Sequence, residues 1–391
     1  MGKNSLFITI TIWVGLAIFA FLLVASLLGH TPIWNLKLTD QESIVKTALT
    51  LVGGVGAVAY LVIKYQERQQ AKRDEERASR EETREKDRLI NTKMQDAVNQ
   101  LGSDKVSTRI AGVYALTDIA DTYRGRYRQR VVDILCGYLR SDRTSYALDE
   151  FGNTVKDEFG RLVKSGSSDE AVESTILDMF AVHLRKERRS RENEVTVRQQ
   201  VEDDQLWCDC RFDFHGTAFH GVVSFADFMF ENETGFSDVI FEGAADFSDA
   251  TFKGTADFHG AKFACEVSFF SAMFTDVADL SSATFTDMAS FSSATFTDVA
   301  DFSYTTFTDV AEFHGATFTD MADFSYTTFY EAADFYSLNL SKPKDIDFGG
   351  AKFNRKYCNA PHIYAWGPIS IPPDNDGLPS GAEWAELEEN S

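Results

Sequence analysis

The sequence is poor in the residues that mark chemistry. It contains no nucleophile elbow, no phosphate-binding loop, no HExxH and no dinucleotide fingerprint, so no catalytic residue is expected. Cysteine is scarce and odd in number: Cys136, Cys208, Cys210, Cys265 and Cys358. No paired CxxC occurs, and Cys208-Asp-Cys210 is too tight for a structural zinc pair. Reduced thiols are therefore expected, with no metal site and no cofactor. Basic charge is missing from one long stretch. Residues 201–350 hold 27 acidic and 5 basic side chains, a net of −22, which is the whole imbalance of the 391-residue chain. That excludes nucleic acid as a direct ligand of this segment and favours a basic protein partner or simple solubility.

What the chain does have begins with two apolar runs. Leu6 to Gly29 is 24 residues without charge, and Thr47 to Ile63 is 17. About 20 apolar residues cross a bilayer, and the first run is too long for a signal peptide, so residues 1–63 are expected to form a two-helix transmembrane hairpin in the lipid bilayer. Gly53, Gly54, Gly56, Ala57 and Ala59 give the second helix a face of small residues. Such a face suits packing on the first helix; a homodimer is the other use for it. The connecting loop has one basic residue, Lys37, whereas Lys64 to Arg80 has six. This bias places both termini in the cytoplasm.

Residues 64–100 follow as a charged stalk, helical by pairs such as Glu76/Arg80 and without an apolar heptad. Residues 101–200 read as a small helical region. Val106, Ile110 and Val113 recur at helical spacing, as do Val131, Ile134, Leu135 and Tyr138, and then Val172, Ile176, Met179 and Phe180. His183 lies on the last of these stripes, with no partner evident in the sequence. Between the helices an octapeptide is duplicated, Asp149 to Lys156 and Asp157 to Lys164, and suggests a hairpin insert.

From residue 201 to 353 one periodicity dominates. Phe occurs 33 times in the chain, and 27 of these lie between Phe212 and Phe353. Large residues recur at alternating steps of 5 and 6 from Phe214 to Leu340, 24 positions in a row. Two residues before each sits a small residue, usually Ala, as in Ala256, Ala278, Ala300 and Ala322. Large and small side chains pointing inward, with polar residues outward, describe a solenoid whose identical coils stack Phe on Phe. The expected core includes Phe258, Phe263, Phe285, Phe291, Phe296, Phe302, Phe307, Phe313, Phe318 and Phe324. Phe270 is off the register. His215, His220, His259 and His314 each follow a core Phe and are expected to point outward.

The tripeptides Ala256-Asp-Phe258, Ala300-Asp-Phe302 and Ala322-Asp-Phe324 resemble the A-(D/N)-(L/F)-x-x motif of the bacterial pentapeptide-repeat family. The resemblance covers about 208–353. It implies a right-handed quadrilateral β-helix and a membrane of bacterial type. The alternating step of 6 departs from the family pattern and implies a 22-residue coil with two swollen corners. With such coils, Asp276, Asp298 and Asp320 form one carboxylate ladder and Asp279, Asp301 and Asp323 another. Three readings of these ladders stay open. They are solubility with turn-forming Asp at corners, a docking surface for a basic protein, and mimicry of DNA charge. The family implies the last because some members bind type II topoisomerases. Over a rod of roughly 30 Å, a net charge of −22 is one per about 1.4 Å, near the ~1.7 Å of duplex DNA. Residues 354–391, ending in an acidic stretch, read as an irregular cap and then a disordered tail. The expected whole is a non-enzymatic, membrane-anchored scaffold with its solenoid in the cytoplasm; the alternative is a DNA mimic.

Overall fold

The computed structural model describes residues 41–149, 154–157, 161–192, 195–200, 206–341, 346–357 and 364–387, with isolated positions before residue 41. The chain divides into two units, 1–89 and 90–391.

One helix, α1, spans Gln41–Leu101, so the expected second apolar run and the charged stalk are continuous. In the first unit nearly all of its described side chains face solvent, with i,i+3 and i,i+4 pairs such as Lys64–Glu67 at 3.2 Å. The first apolar run, Leu6 to Gly29, lies for the most part outside the described residues, and with it the expected hairpin. Among the described residues no helix is long and apolar enough to cross a membrane.

In the second unit the last turns of α1 bury Ile90, Met94, Ala97 and Leu101. They join three further helices: α2 (Val106–Tyr123), α3 (Arg126–Leu139) and α4 (Glu170–Leu184). Each buries the stripe legible in its sequence, for example Val131, Val132 and Leu135 on α3 and Val172, Ile176 and Phe180 on α4. Gly112 of α2 sits where an added Cβ would come within 2.6 Å of the Leu101 nitrogen, so only glycine allows that approach. The duplicated octapeptides lie between strands Thr144–Tyr146 and Lys164–Ser167, which pair antiparallel.

From Phe212 the chain winds into a parallel β-solenoid of about six turns with four sheets, one per face. The first sheet runs from Phe212–Asp213 to Ile346–Asp347, and the second from Ala218–Phe219 to Glu383–Ala385. The third runs from Val223–Ser224 to Tyr364–Ala365, and the fourth from Met229–Phe230 to Asn339–Leu340. Partners in register differ by 22 residues, as in Ala256, Ala278, Ala300 and Ala322, which sets the coil length. All but two of the strands are only two residues long, because the chain must turn a corner every five or six residues.

Inside, rings stack coil on coil. Phe302 lies on Phe324 at 4.8 Å with planes parallel, and Phe274 on Phe296 at 4.8 Å. Every large residue of the rhythm from Phe214 to Phe335 is buried, and Leu340 is partly so. Thr305 and Thr327 replace Ala in the small register. Their buried hydroxyls donate to the carbonyls of Leu280 and Phe302 in the coil below, at 2.8 and 2.7 Å. Burial is worth about 1.5–3 kcal/mol per Phe, so this stack dominates the favourable side of folding.

The two kinds of step make two kinds of corner. At the five-residue steps the chain makes a four-residue turn with a positive φ at its third position. In Phe258-His-Gly-Ala261, the Ala261 N–H donates to the Phe258 carbonyl at 3.0 Å and Gly260 has φ +65°. The positive-φ position recurs every 11 residues as Gly216, Asp227, Asp238, Asp249, Gly260, Ser271, Ser282, Ser293, Tyr304, Gly315, Tyr326 and Ser337. At the six-residue steps the extra residue widens the corner, and from Asp276 to Asp320 an Asp caps it; the other coils carry Gly221, Asn232, Gly243, Gly254, Cys265 and Glu331 there.

Both ends of the stack are covered. Phe180 of α4 packs edge-on against Phe212 at 5.2 Å and Trp207 at 6.4 Å. Arg143 pairs with Glu173 and donates to the Ala218 carbonyl. Arg128 donates to the Leu206 carbonyl at 2.6 Å, and Gln129 exchanges hydrogen bonds with the Arg211 backbone. The helical region thus caps the first coil. At the far end the tail is more regular than its sequence suggests. Strands Tyr364–Ala365 and Glu383–Ala385 extend the third and second sheets, and Trp366 stacks on Phe335 at 5.6 Å.

Candidate functional site

The 22-residue coil sorts the carboxylates by face. Asp257, Asp279, Asp301, Asp323 and Asp347 share one register on the first sheet. Asp276, Asp298 and Asp320 occupy the corner that leads into it, immediately after Phe274, Phe296 and Phe318 of the fourth sheet and before Ala278, Ala300 and Ala322. The six candidate residues Asp276, Asp279, Asp298, Asp301, Asp320 and Asp323 therefore fall on one face and its leading edge. The other faces differ. The second and fourth carry outward Thr, as Thr284, Thr306 and Thr328, and Thr251, Thr295 and Thr317. The third mixes Asp246, Glu312 and Asp334 with Ser.

Each ladder also holds the backbone. At the swollen corners an Asp Oδ1 accepts the N–H of the next residue: Val277 to Asp276, Val299 to Asp298 and Met321 to Asp320, each at 2.8 Å. Asp287 and Asp309 do the same on the opposite corner. On the first sheet the N–H two residues on is the donor: Ser281 to Asp279 at 2.9 Å, Ser303 to Asp301 and Ser325 to Asp323 at 2.8 Å. A short acceptor side chain suits such turns, which accounts for Asp at these positions. It uses one oxygen of each carboxylate and leaves the charge at the surface.

The histidines stand apart from one another. His215 meets Asp213 at 2.7 Å, His259 meets the Ser281 hydroxyl at 2.9 Å, and His314 stacks on Tyr336. His220 departs from the outward placement expected of it. Its side chain is 3 % exposed, held under the corner by Glu242 of the next coil at 2.6 Å. Among the described residues no group of three or more His, Cys, Asp or Glu is arranged to hold a metal.

His183 has the partner that its sequence context does not reveal. Its Nδ1 faces the Met179 carbonyl at 2.7 Å, its Nε2 faces Asp121 at 3.2 Å, and its ring stacks on Trp207 at 4.2 Å. Asp121 also accepts the Trp207 indole N–H at 2.9 Å. Burial pushes the Asp121 carboxyl up, but the hydrogen bonds from His183 and Trp207, with the charges of His183 and Arg128, outweigh it and hold it below the usual range. This cluster ties α2, α4 and the entry to the first coil together. Burial pushes the thiols of Cys136, Cys208 and Cys210 up to about 12, so they are inert packing groups.

Sequence reasoning passed over two surface residues, Tyr304 and Tyr326. They sit at the positive-φ corner between the first and second faces, with φ +57° at each. Their rings stack at 4.9 Å and are 61 % and 57 % exposed. The signal was present: they hold the register in which earlier coils place Gly216, Asp238, Gly260 and Ser282.

Comparison with known proteins agrees with this architecture. No curated protein and no solved structure matches the chain. The family described as pentapeptide repeats matches in nine copies, over residues 214–262, 225–273, 269–310 and 302–337. The matched segments fall on the coils whose paired Ala, Asp and Phe registers are described above, and residues 214–337 are pentapeptide repeats.

Proposed function

We propose that the chain is a membrane-anchored, non-enzymatic scaffold that presents the first face of its solenoid, in the cytoplasm, to a basic protein partner. The observation that carries this reading is the convergence of two carboxylate ladders on one face and its leading corner. A rigid stack with a repeat of about 4.8 Å offers fixed, evenly spaced charges, which suits recognition of a surface rather than transformation of a substrate. The pentapeptide repeats support an interaction role. The winding is taken as right-handed, as the family resemblance implies.

The anchor rests on α1. Tyr60, Leu61, Val62, Ile63 and Tyr65 are consecutive or nearly so, cover all sides of the helix and are 50–65 % exposed. Such a girdle is stable where lipid surrounds it, with Tyr at the interface and Lys64 reaching for headgroups. The competing reading, a DNA-charge mimic that occupies an enzyme such as a type II topoisomerase, draws on the same ladders. A protein held at a bilayer is poorly placed to meet DNA-bound enzymes.

The test is a pull-down from solubilised membranes with the wild type and with Asp276→Asn/Asp298→Asn/Asp320→Asn. Asn keeps the backbone acceptor and removes the charge. Capture of a membrane-associated partner, lost in the variant, is the expected result. Recovery of the wild type in the soluble fraction would remove the anchor, and charge-dependent inhibition of a topoisomerase would favour the mimic.

A further inference from the structure

The tyrosine pair is not explained by folding. A positive φ suits glycine, and Ser or Asp accept it at modest cost. Thirteen corners of this type run through the described coils, the last at Gly350, and only Tyr304 and Tyr326 place a large ring there. Such a backbone is strained for a bulky residue. Their mutual stack recovers part of this, yet each residue stays more than half exposed. Tyr, with Trp and Arg, is enriched at the centre of protein interfaces, where a flat ring gives contact area with little entropy to lose.

The position of the pair defines what it could hold. Tyr326 is covered on one side by Tyr304, and on the other it lies over Gly350, where an added Cβ would come within 2.8 Å of the ring. Tyr304 has one covered face. In the coil below its other face, the same register holds Ser282, and below that Gly260, both too small to cover a ring. The result is a step: an aromatic wall above a shelf of short residues. Asp301, three residues before Tyr304, and Asp279, three residues before Ser282, flank this step on the first face. Their Oδ1 atoms are engaged by Ser303 and Ser281, and their Oδ2 atoms make none of the described hydrogen bonds.

We infer that this step is the seat of an arginine side chain in an extended segment of the partner protein. The inference deepens the scaffold reading and rests on it. A guanidinium is planar, weakly hydrated and forked, so it can lie on the open face of Tyr304 while donating to the free oxygens of Asp279 and Asp301. An ammonium is compact and strongly hydrated and gains less from the ring. Coils spaced at about 4.8 Å would let further basic residues of an extended segment meet Asp257 and Asp323.

The experiment uses the full-length protein in detergent micelles at 0.15 M salt, with hexa-arginine and hexa-lysine peptides as probes and calorimetry as the readout. The wild type should bind hexa-arginine about tenfold more tightly than hexa-lysine. In Tyr304→Ser/Tyr326→Ser, which carries at both corners the residue native to position 282, that preference should vanish with net charge unchanged. Tyr304→Phe should keep it. Asp279→Asn/Asp301→Asn should weaken both peptides. Equal affinity of the two peptides for the wild type, a measurement that needs no variant, overturns the arginine seat and leaves the acidic scaffold standing. So does an unchanged preference in a double Ser variant whose melting is normal. No binding of either peptide to the wild type overturns both.

Discussion

Removing one ring from the middle of the stack tests the load carried by the core. Phe296 is fully buried, with Phe274 below it at 4.8 Å, Phe318 above at 4.9 Å and the edge of Phe302 at 5.8 Å. Phe→Ala in a core costs about 3–5 kcal/mol, the lost transfer energy plus the cavity. Here collapse is restricted, because Thr295 and Thr297 on either side donate to Ala272 and Phe274 of the neighbouring coil at 2.8 Å. The backbone ladder sets the coil spacing, so the two neighbouring rings cannot close the gap. Phe296→Ala should therefore lie in the upper half of the range, about 4–5 kcal/mol. Phe296→Leu should cost about 1.5 kcal/mol or less, as a near-isosteric exchange of the kind the native stack already contains at Leu280. Phe270 supplies the control: it is 48 % exposed and adjoins a corner, so Ala there should cost about 1 kcal/mol or less. Urea unfolding followed by far-ultraviolet circular dichroism measures all three. Equal losses for Phe296→Ala and Phe270→Ala would refute the inward assignment of the alternating rhythm. A loss below about 2 kcal/mol for Phe296→Ala would refute the claim that coil spacing is held by the backbone.

Two other consequences can be measured. Asp298→Ala leaves the Val299 N–H without its acceptor and should lower stability by about 1 kcal/mol, whereas Asp298→Asn should cost less than half of that; parity between them in urea titrations would show the corner does not use the side chain. Acid should loosen the capped end first: burial raises the Asp213 carboxyl, but bonds from His215 and the Arg140 charge outweigh it and hold it below its ordinary value. Asp121 is depressed likewise. A carboxyl depressed in the folded state stabilises above its unfolded value near 4 and loses that contribution as pH falls through the folded value. Melting should thus fall below about pH 4, less steeply in Asp213→Asn; an identical acid profile in that variant would contradict the assignment.

The solenoid was legible because its information is redundant. Two dozen registered positions state the same alternation, and a 22-residue coil then fixes which Asp lies above which. The two corner chemistries were not legible, since steps of 5 and 6 announce a difference in length without naming the donor to each carboxylate. Contacts that cross the chain left no local trace. Asp121 lies 62 residues before His183, and nothing near either marks the pair. His220 follows a core Phe like the other three, yet Glu242 in the next coil draws it under the corner. The tail strands Tyr364–Ala365 and Glu383–Ala385 were hidden because the intervening segments break the rhythm on which the reading depended. The apolar runs before residue 64 show the limit from the other side. A membrane helix is read from composition alone, without a repeat to corroborate it.

Turn chemistry and surface chemistry use the same residue here, and this bears on how the acidic face should be weighed. An Asp suits a swollen corner because its short side chain reaches the next N–H, and Asn would serve equally, while Gly221, Gly243 and Gly254 turn the same corner with no side chain. Yet all five such corners from Asp276 to Asp320 carry Asp, as do the first-sheet positions at 257, 279, 301, 323 and 347. Stacking like charges about 4.8 Å apart is unfavourable, a repulsion that Asn ladders would avoid. Folding therefore accounts for a short acceptor at these sites but not for its charge. The same division holds one corner further on, where a small residue would fold well and the chain places Tyr304 and Tyr326. Asp287 and Asp309 lie on the opposite corner, but the first-sheet Asp ladder, Asp276, Asp298, Asp320 and the two tyrosines share one face and its two edges. That coincidence, rather than the total charge, is the reason to look for the partner there.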